Sequence, residues 1–81
     1  MHEWGITESV IEEIIRQAGE NGLKKIDKVC LSIGEASRIT PESLEFCFQC
    51  LAKETILAAA KLEIKQNEGR EITIDSFEGS Q

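Results

Sequence analysis

KIDKVCLSI, residues 25–33, alternates apolar and polar side chains and predicts a β-strand. Its apolar members, Val29, Leu31 and Ile33, would face a core, while the side chains between them would face water. A sheet with one apolar face needs a second layer of secondary structure to cover that face. The sequence on either side of the strand must therefore provide that layer.

Amphipathic helices are predicted on both sides of this strand. The second helix has a clear start at Thr40-Pro41-Glu42, where a hydroxyl caps the helix and proline takes the first position. The first helix is capped at Gly5 or Thr7. Apolar residues repeat at helical spacing in both segments: Ile6, Val10, Ile11, Ile14, Ile15 and Ala18 in the first, and Leu44, Cys47, Phe48, Leu51, Ala52 and Thr55 in the second.

Two short alternating runs complete the chain. Leu62 and Ile64 lie before Asn67-Glu68-Gly69, and Ile72 and Ile74 lie after it, which predicts a β-hairpin around an Asn/Gly turn. Residues 78–81 are expected to form a frayed tail. The predicted fold class is therefore α+β, a small three-stranded sheet packed with two α-helices in the order α-β-α-β-β. Residues 1–81 are expected to form a single domain.

Composition narrows the classes of partner and compartment. A net charge of −6 and a pI near 4.7 argue against nucleic acid and against an anionic membrane surface. The sequence has neither an apolar run long enough to span a bilayer nor the basic and apolar start of a signal peptide. Three cysteines, an odd number, favour reduced thiols. We therefore expect a cytoplasmic protein.

The opening tetrapeptide, Met1-His2-Glu3-Trp4, is a candidate metal site. The only histidine of the chain is the second residue, so its imidazole, its amide nitrogen and the terminal amine can close on one ion as adjoining chelate rings. Nitrogen donors in a near-planar arrangement suit Ni(II) or Cu(II), whereas structural zinc takes four tetrahedral ligands. The alternative is a solvated terminal histidine without a ligand role.

The three cysteines give no comparable site. Cys47 and Cys50 have C-x-x-C spacing, but they fall within the second helix and no second Cys/His pair exists in the chain. We interpret both, and Cys30 on its strand, as small buried thiols. No arrangement of nucleophile and base is evident either, so the sequence does not predict an enzyme.

Four segments together resemble the HypA/HybF family of nickel-insertion accessory proteins for nickel–iron hydrogenase and, in some organisms, urease. They are residues 1–4, residues 7–10, Leu31-Ser32-Ile33-Gly34-Glu35 and residues 41–46. The resemblance implies Ni(II) held by the terminal amine of Met1 and the amide and imidazole of His2, with Glu3 contributing through its backbone or nearby. It also implies two partners, a nickel-maturation GTPase and the hydrogenase large subunit.

The chain departs from that family at one place. Family members carry a zinc module with two C-x-x-C pairs between the last two strands, and here residues 65–69 run directly into the final strand. We therefore expect no zinc. The missing module leaves a second hypothesis open, a protein-interaction adaptor of the same maturation pathway with little or no metal transfer of its own. A homodimer formed through edge strands is also left open.

Overall fold

The structure, a computed structural model, describes the backbone of residues 2–81 and the side chains from Glu3 onward. Helix α1 spans His2–Glu20, strand β1 Lys25–Gly34, a short 3-10 turn Glu35–Ser37, helix α2 Pro41–Ala52, strand β2 Lys61–Asn67 and strand β3 Ile72–Ser80. The fold class predicted from the sequence, α+β in the order α-β-α-β-β, is confirmed.

Strand β1 is the centre of the sheet, whose strand order is β2-β1-β3. It pairs with β2 in parallel and with β3 antiparallel. Both helices contact the apolar face of the sheet and share one core with it, formed mainly by Val10, Ile11, Ile14, Ala18, Ile26, Val29, Leu31, Ile33, Leu44, Phe48 and Leu57. The other face carries polar side chains and is open to solvent, as is common where an antiparallel pair contributes to a sheet.

The predicted β2–β3 hairpin is wrong, because β2 and β3 lie on opposite sides of β1. The connection between them crosses the carboxyl end of β1. There the amide of Gly34 donates to the carbonyl oxygen of Glu71 at 2.9 Å, and the amide of Ala36 donates to the carbonyl oxygen of Gly69 at 3.0 Å. A Cβ on Gly34 would lie 2.2 Å from the carbonyl oxygen of Gly69. The crossing is therefore possible only because residue 34 has no side chain.

Element ends differ from the sequence expectations at three places. Helix α1 begins at His2, before either predicted cap, and α2 ends at Ala52, before Thr55. The expected tail at residues 78–81 is instead strand up to Ser80, which pairs with Lys25. The predicted start of α2 is confirmed, since the Thr40 hydroxyl accepts a hydrogen bond from the Ser43 amide at 3.1 Å. No helix within residues 2–81 is long and apolar enough to cross a membrane.

Candidate metal centre

The predicted ligands lie at the start of α1, at the edge of the described part of the chain. Met1 and the imidazole of His2 fall outside the described residues, while the backbone of His2 forms the first position of α1. Glu3, the third predicted site residue, is partly buried. The first amides of an α-helix have no carbonyl partner within the helix. The amide nitrogens of His2 and Glu3 are therefore not committed to the helical hydrogen-bond ladder.

Thr7 fixes the first turn of α1 to the core. Its side chain is fully buried, and its hydroxyl donates to the carbonyl oxygen of Glu3 at 2.6 Å. Thr7 is therefore not the helix cap predicted from the sequence, since it lies in the second turn of α1. The available signal for its burial was its position three and four residues before Val10 and Ile11, which places it on the apolar stripe.

We predict that Thr7→Val lowers the free energy of unfolding by about 1 kcal/mol, because the change removes the hydroxyl but keeps the branched shape. Hydrogen exchange of the amides in the second helical turn, which donate to the carbonyl oxygens of the first turn, should become faster. Thr7→Ser is the matched control, since it keeps the hydroxyl and removes only the methyl group. Equal exchange rates in the two variants, measured by NMR, would show that the hydrogen bond to Glu3 does not hold the turn.

The surface next to the start of α1 is an open groove of about 690 Å³. One wall is α1, and the other is formed by the 3-10 turn with its following loop and by the β2–β3 connection. Its lining residues are Gly5, Ile6, Ser9, Val10, Ser37, Ile39, Arg70, Glu71 and Ile72. Trp4 beside it is 41% exposed. The described residues next to the start of α1 thus form an accessible surface.

The cysteines do not converge on one point. Cys47 is buried in the core, as expected, whereas Cys50 is exposed on α2, so the prediction of a buried thiol at Cys50 is wrong. Cys30 is half-buried on the open face of the sheet, with its sulfur 3.6 Å from a carboxylate oxygen of Glu63. Among the described residues, no three His, Cys, Asp or Glu side chains come together in a metal-binding group.

Two exposed ion pairs lower the pKa of the carboxyl groups of Glu13 and Glu63. On α1, hydrogen bonds from Arg16, and then from Gln17, lower the pKa of Glu13 to about 2. On the open face of the sheet, Lys28 lies 3.1 Å from Glu63 and lowers the pKa of that carboxyl group, mainly through its hydrogen bond. Both pairs are distant in sequence from the amino terminus. Both carboxylates are therefore engaged in ion pairs away from the predicted metal site.

These features define a small two-layer α+β domain with an open groove beside the start of its first helix. The model of the family described as hydrogenase/urease nickel incorporation, metallochaperone, HypA matches residues 1–78. The chain belongs to the HypA family. The resemblance found in the sequence is thereby confirmed.

Curated relatives agree with that assignment. The chain is 41% identical over 69 residues to hydrogenase maturation factor HypA 2 of Bradyrhizobium diazoefficiens, covering 85% of this chain and 61% of that relative. It is 42% identical over 64 residues to hydrogenase maturation factor HypA of Archaeoglobus fulgidus, covering 79% of this chain and 58% of the relative. The chain thus spans about three fifths of the length of these relatives.

A solved structure has the same fold. The solution structure of the nickel metallochaperone HypA from Helicobacter pylori aligns with a TM-score of 0.88 over 99% of this chain and 98% of that one, at 20% sequence identity. At this low identity the likeness concerns the fold alone. It supports the two-layer arrangement described above.

Proposed function

We propose that this chain binds Ni(II) at its amino terminus and helps to deliver the ion during maturation of nickel–iron hydrogenase, and in some settings of urease. The ligands are the terminal amine of Met1 and the amide and imidazole nitrogens of His2, with Glu3 contributing through its backbone or nearby. The observation that carries the proposal is the match of the HypA family model over residues 1–78.

The described geometry supports a site of this kind. Since α1 begins at His2, the amides of its first turn are not committed to helical carbonyls and can serve as ligands. The hydrogen bond from the buried Thr7 to Glu3 ties the first turn to the part of α1 that packs in the core. Planar nitrogen ligation is a geometry that Ni(II) accepts. A site at the end of a helix, built from the chain terminus, suits transfer of the ion better than its storage.

The remaining parts of the proposal follow from family membership. We infer that residues 1–81 act as one nickel-binding domain without catalytic activity of their own. Its partners are a nickel-maturation GTPase and the hydrogenase large subunit, and it works in the cytoplasm. Nickel is the cargo of this protein and not a resident cofactor.

Zinc does not fit the cysteines of this chain. Structural zinc needs four ligands in tetrahedral arrangement. Cys47 lies in the core and Cys50 at the surface of the same helix, while Cys30 is on the open face of the sheet. We therefore assign no zinc and no step that depends on it.

The test is a calorimetric titration of the purified protein with Ni(II) at pH 7.5 and at pH 5.5. One ion should bind at pH 7.5, and the affinity should fall at least about 100-fold at pH 5.5, because protons compete for an amine and an imidazole with ordinary pKa values near 7.8 and 6.5. Intact-mass measurement should first establish that Met1 is the free amino terminus. An affinity that changes only below about pH 5 would indicate carboxylate ligands instead.

The adaptor hypothesis has one observation in its favour: residues 65–69 lead directly into the final strand, where the family resemblance implies a zinc module. A family member without that module can retain the docking surface without the means of metal transfer. Complementation of a strain that lacks the endogenous protein distinguishes the adaptor function from nickel delivery. Full hydrogenase maturation by a His2→Ala variant would support the adaptor, whereas its loss in that variant alone would support nickel delivery.

A further inference from the structure

The net charge of this protein is confined to its two helices. Helices α1 and α2 contain seven acidic side chains and one basic side chain, Arg16. The rest of the chain contains eight of each sign. The helices therefore account for the whole net charge of −6, while the sheet and the connections are neutral in sum. The charge asymmetry gives the molecule one acidic side.

The acidic side also carries exposed aromatic rings. Trp4 on α1 is 41% exposed, and Phe46 on α2 is 65% exposed. Each ring has a carboxylate four residues away on its own helix, Glu8 after Trp4 and Glu42 before Phe46. Residues four apart lie on the same side of a helix. Each ring is therefore exposed beside an acidic group.

Within the part of the chain that the structure describes, no basic side chain neutralises the carboxylates next to these rings. Arg16, the one basic residue of the helices, pairs with Glu13 and Glu20 farther along α1. No ion pair involves Glu8 or Glu42 among the residues that the structure describes. These charges are thus free to meet positive charge on another molecule.

We propose that the outer surface of α1 and α2, defined by Trp4, Glu8, Glu12, Glu42 and Phe46, docks a protein whose Lys and Arg residues surround an apolar pocket. We refer to it as the helical docking face. Aromatic anchors in pockets and complementary charge around them are the usual components of such an interface.

The negative charge of the helical docking face favours a basic protein over a second copy of the chain, nucleic acid or an anionic membrane. A second copy of the chain would bring two acidic faces together, and nucleic acid or an anionic membrane would also be repelled. A basic protein surface is attracted. The inference deepens the proposed function, on which it rests: Trp4 is two residues from His2, so a partner over Trp4 lies against the proposed nickel site.

The test measures the affinity of this chain for two purified probes, the maturation GTPase and the hydrogenase large-subunit precursor encoded in the same genome. Phe46→Ala, and separately the charge reversal Glu8→Lys/Glu12→Lys, should each weaken binding to one of the probes at least about tenfold. All three side chains are exposed, so the variants should fold. Their circular dichroism and thermal melting are recorded alongside the affinity.

The control is Glu68→Lys/Glu78→Lys, which changes the net charge by the same amount at two exposed positions outside the helices. It should leave the affinity within about threefold of wild type, because screened charges away from an interface contribute little. The proposal is overturned if this control weakens binding as much as the helical reversal, if Phe46→Ala has no effect, or if neither probe binds. It is also overturned if the wild type self-associates through this face or binds anionic vesicles.

The same variants distinguish the docking proposal from the nickel-delivery proposal on which it rests. Nickel titration of the Phe46→Ala and Glu8→Lys/Glu12→Lys variants should give wild-type stoichiometry, because none of these residues is a proposed ligand. Loss of partner affinity with nickel binding retained supports the helical docking face. If wild type binds no nickel but the docking results hold, the nickel-delivery proposal fails and the docking surface stands.

Discussion

Replacement of Gly34 by alanine is expected to lower the free energy of unfolding by about 3 kcal/mol. The added Cβ would lie 2.2 Å from the carbonyl oxygen of Gly69 and 2.5 Å from the amide nitrogen of Arg70. These are backbone atoms, so no side chain can rotate away to make room. With φ −76° and ψ 133°, Gly34 has an ordinary extended backbone, and the cost arises from space alone.

The connection that crosses Gly34 must move to admit a methyl group. Its movement would stretch the hydrogen bonds from Gly34 to Glu71 and from Ala36 to Gly69, now 2.9 and 3.0 Å. For a domain of this size, 3 kcal/mol corresponds to a fall in Tm of about 12 °C or more. Urea denaturation and thermal melting, both followed by circular dichroism, measure the two quantities.

Gly19→Ala is the matched control for that change. A Cβ on Gly19 would meet nothing within 4 Å, and the residue lies inside α1. Alanine there should stabilise the protein by up to about 1 kcal/mol, because glycine is a poor helix former. The two Gly→Ala changes should therefore have opposite signs. A Gly34→Ala protein as stable as wild type would show that the β2–β3 connection does not cross β1 as closely as described.

The sequence was sufficient to predict which segments form helices and strands. Alternation over residues 25–33 predicted β1, and the hydroxyl of Thr40 before Pro41 predicted the start of α2. These signals are local, since side-chain period and capping depend on residues a few positions apart. The fold class followed from the order of the elements.

Strand pairing was not predicted, because alternation shows that a segment is a strand and not which strand lies beside it. The Asn67-Glu68-Gly69 sequence favoured a hairpin, yet β2 and β3 both pair with β1. Two signals pointed to the correct arrangement. The order strand-helix-strand from β1 to β2 is typical of a parallel pair joined by a crossover helix, and Gly34 at the end of β1 marked a close backbone approach.

The candidate site was predictable only as a set of donor atoms. The position of His2 in the chain fixes the ring sizes of a chelate, so that part of the hypothesis needs no structure. The burial of Thr7 follows from its place on the apolar stripe of α1, but its bond to Glu3 also requires that α1 begins before Glu3, and the predicted caps at Gly5 or Thr7 missed that start. The exposure of Cys50 depends on the orientation of α2 against the core.

His2→Ala is expected to lower the affinity for Ni(II) by at least about 100-fold, since changes in groups that merely support a ligand already cost 10- to 100-fold. Acetylation of the terminal amine should have an effect of similar size, because it converts one of the proposed ligands into an amide without lone-pair basicity. The two modifications act on different donor atoms of one chelate. Calorimetric titration at pH 7.5 compares them with the unmodified protein.

Acetylation is a cleaner block than extension of the chain by one residue. An added residue would make the histidine third from the amine, where amine, two amides and imidazole can close another planar four-nitrogen chelate. Such a protein could bind Ni(II) as tightly as the original through a different ligand set. Acetylation leaves the sequence of α1 unchanged, and circular dichroism of the modified protein should show the same helix content.

Glu3→Gln distinguishes backbone from side-chain ligation at the third proposed position. If Glu3 contributes through its amide nitrogen, removal of its carboxylate charge should change the nickel affinity by less than about threefold, the scale of a screened surface interaction. If Glu3→Gln costs as much as His2→Ala, the carboxylate itself is a ligand and the planar nitrogen arrangement is wrong. If His2→Ala and the acetylated protein both bind nickel as wild type does, the ion lies elsewhere in the chain. A large loss with His2→Ala and with acetylation, together with a small one for Glu3→Gln, is the single pattern that a terminal nitrogen chelate produces.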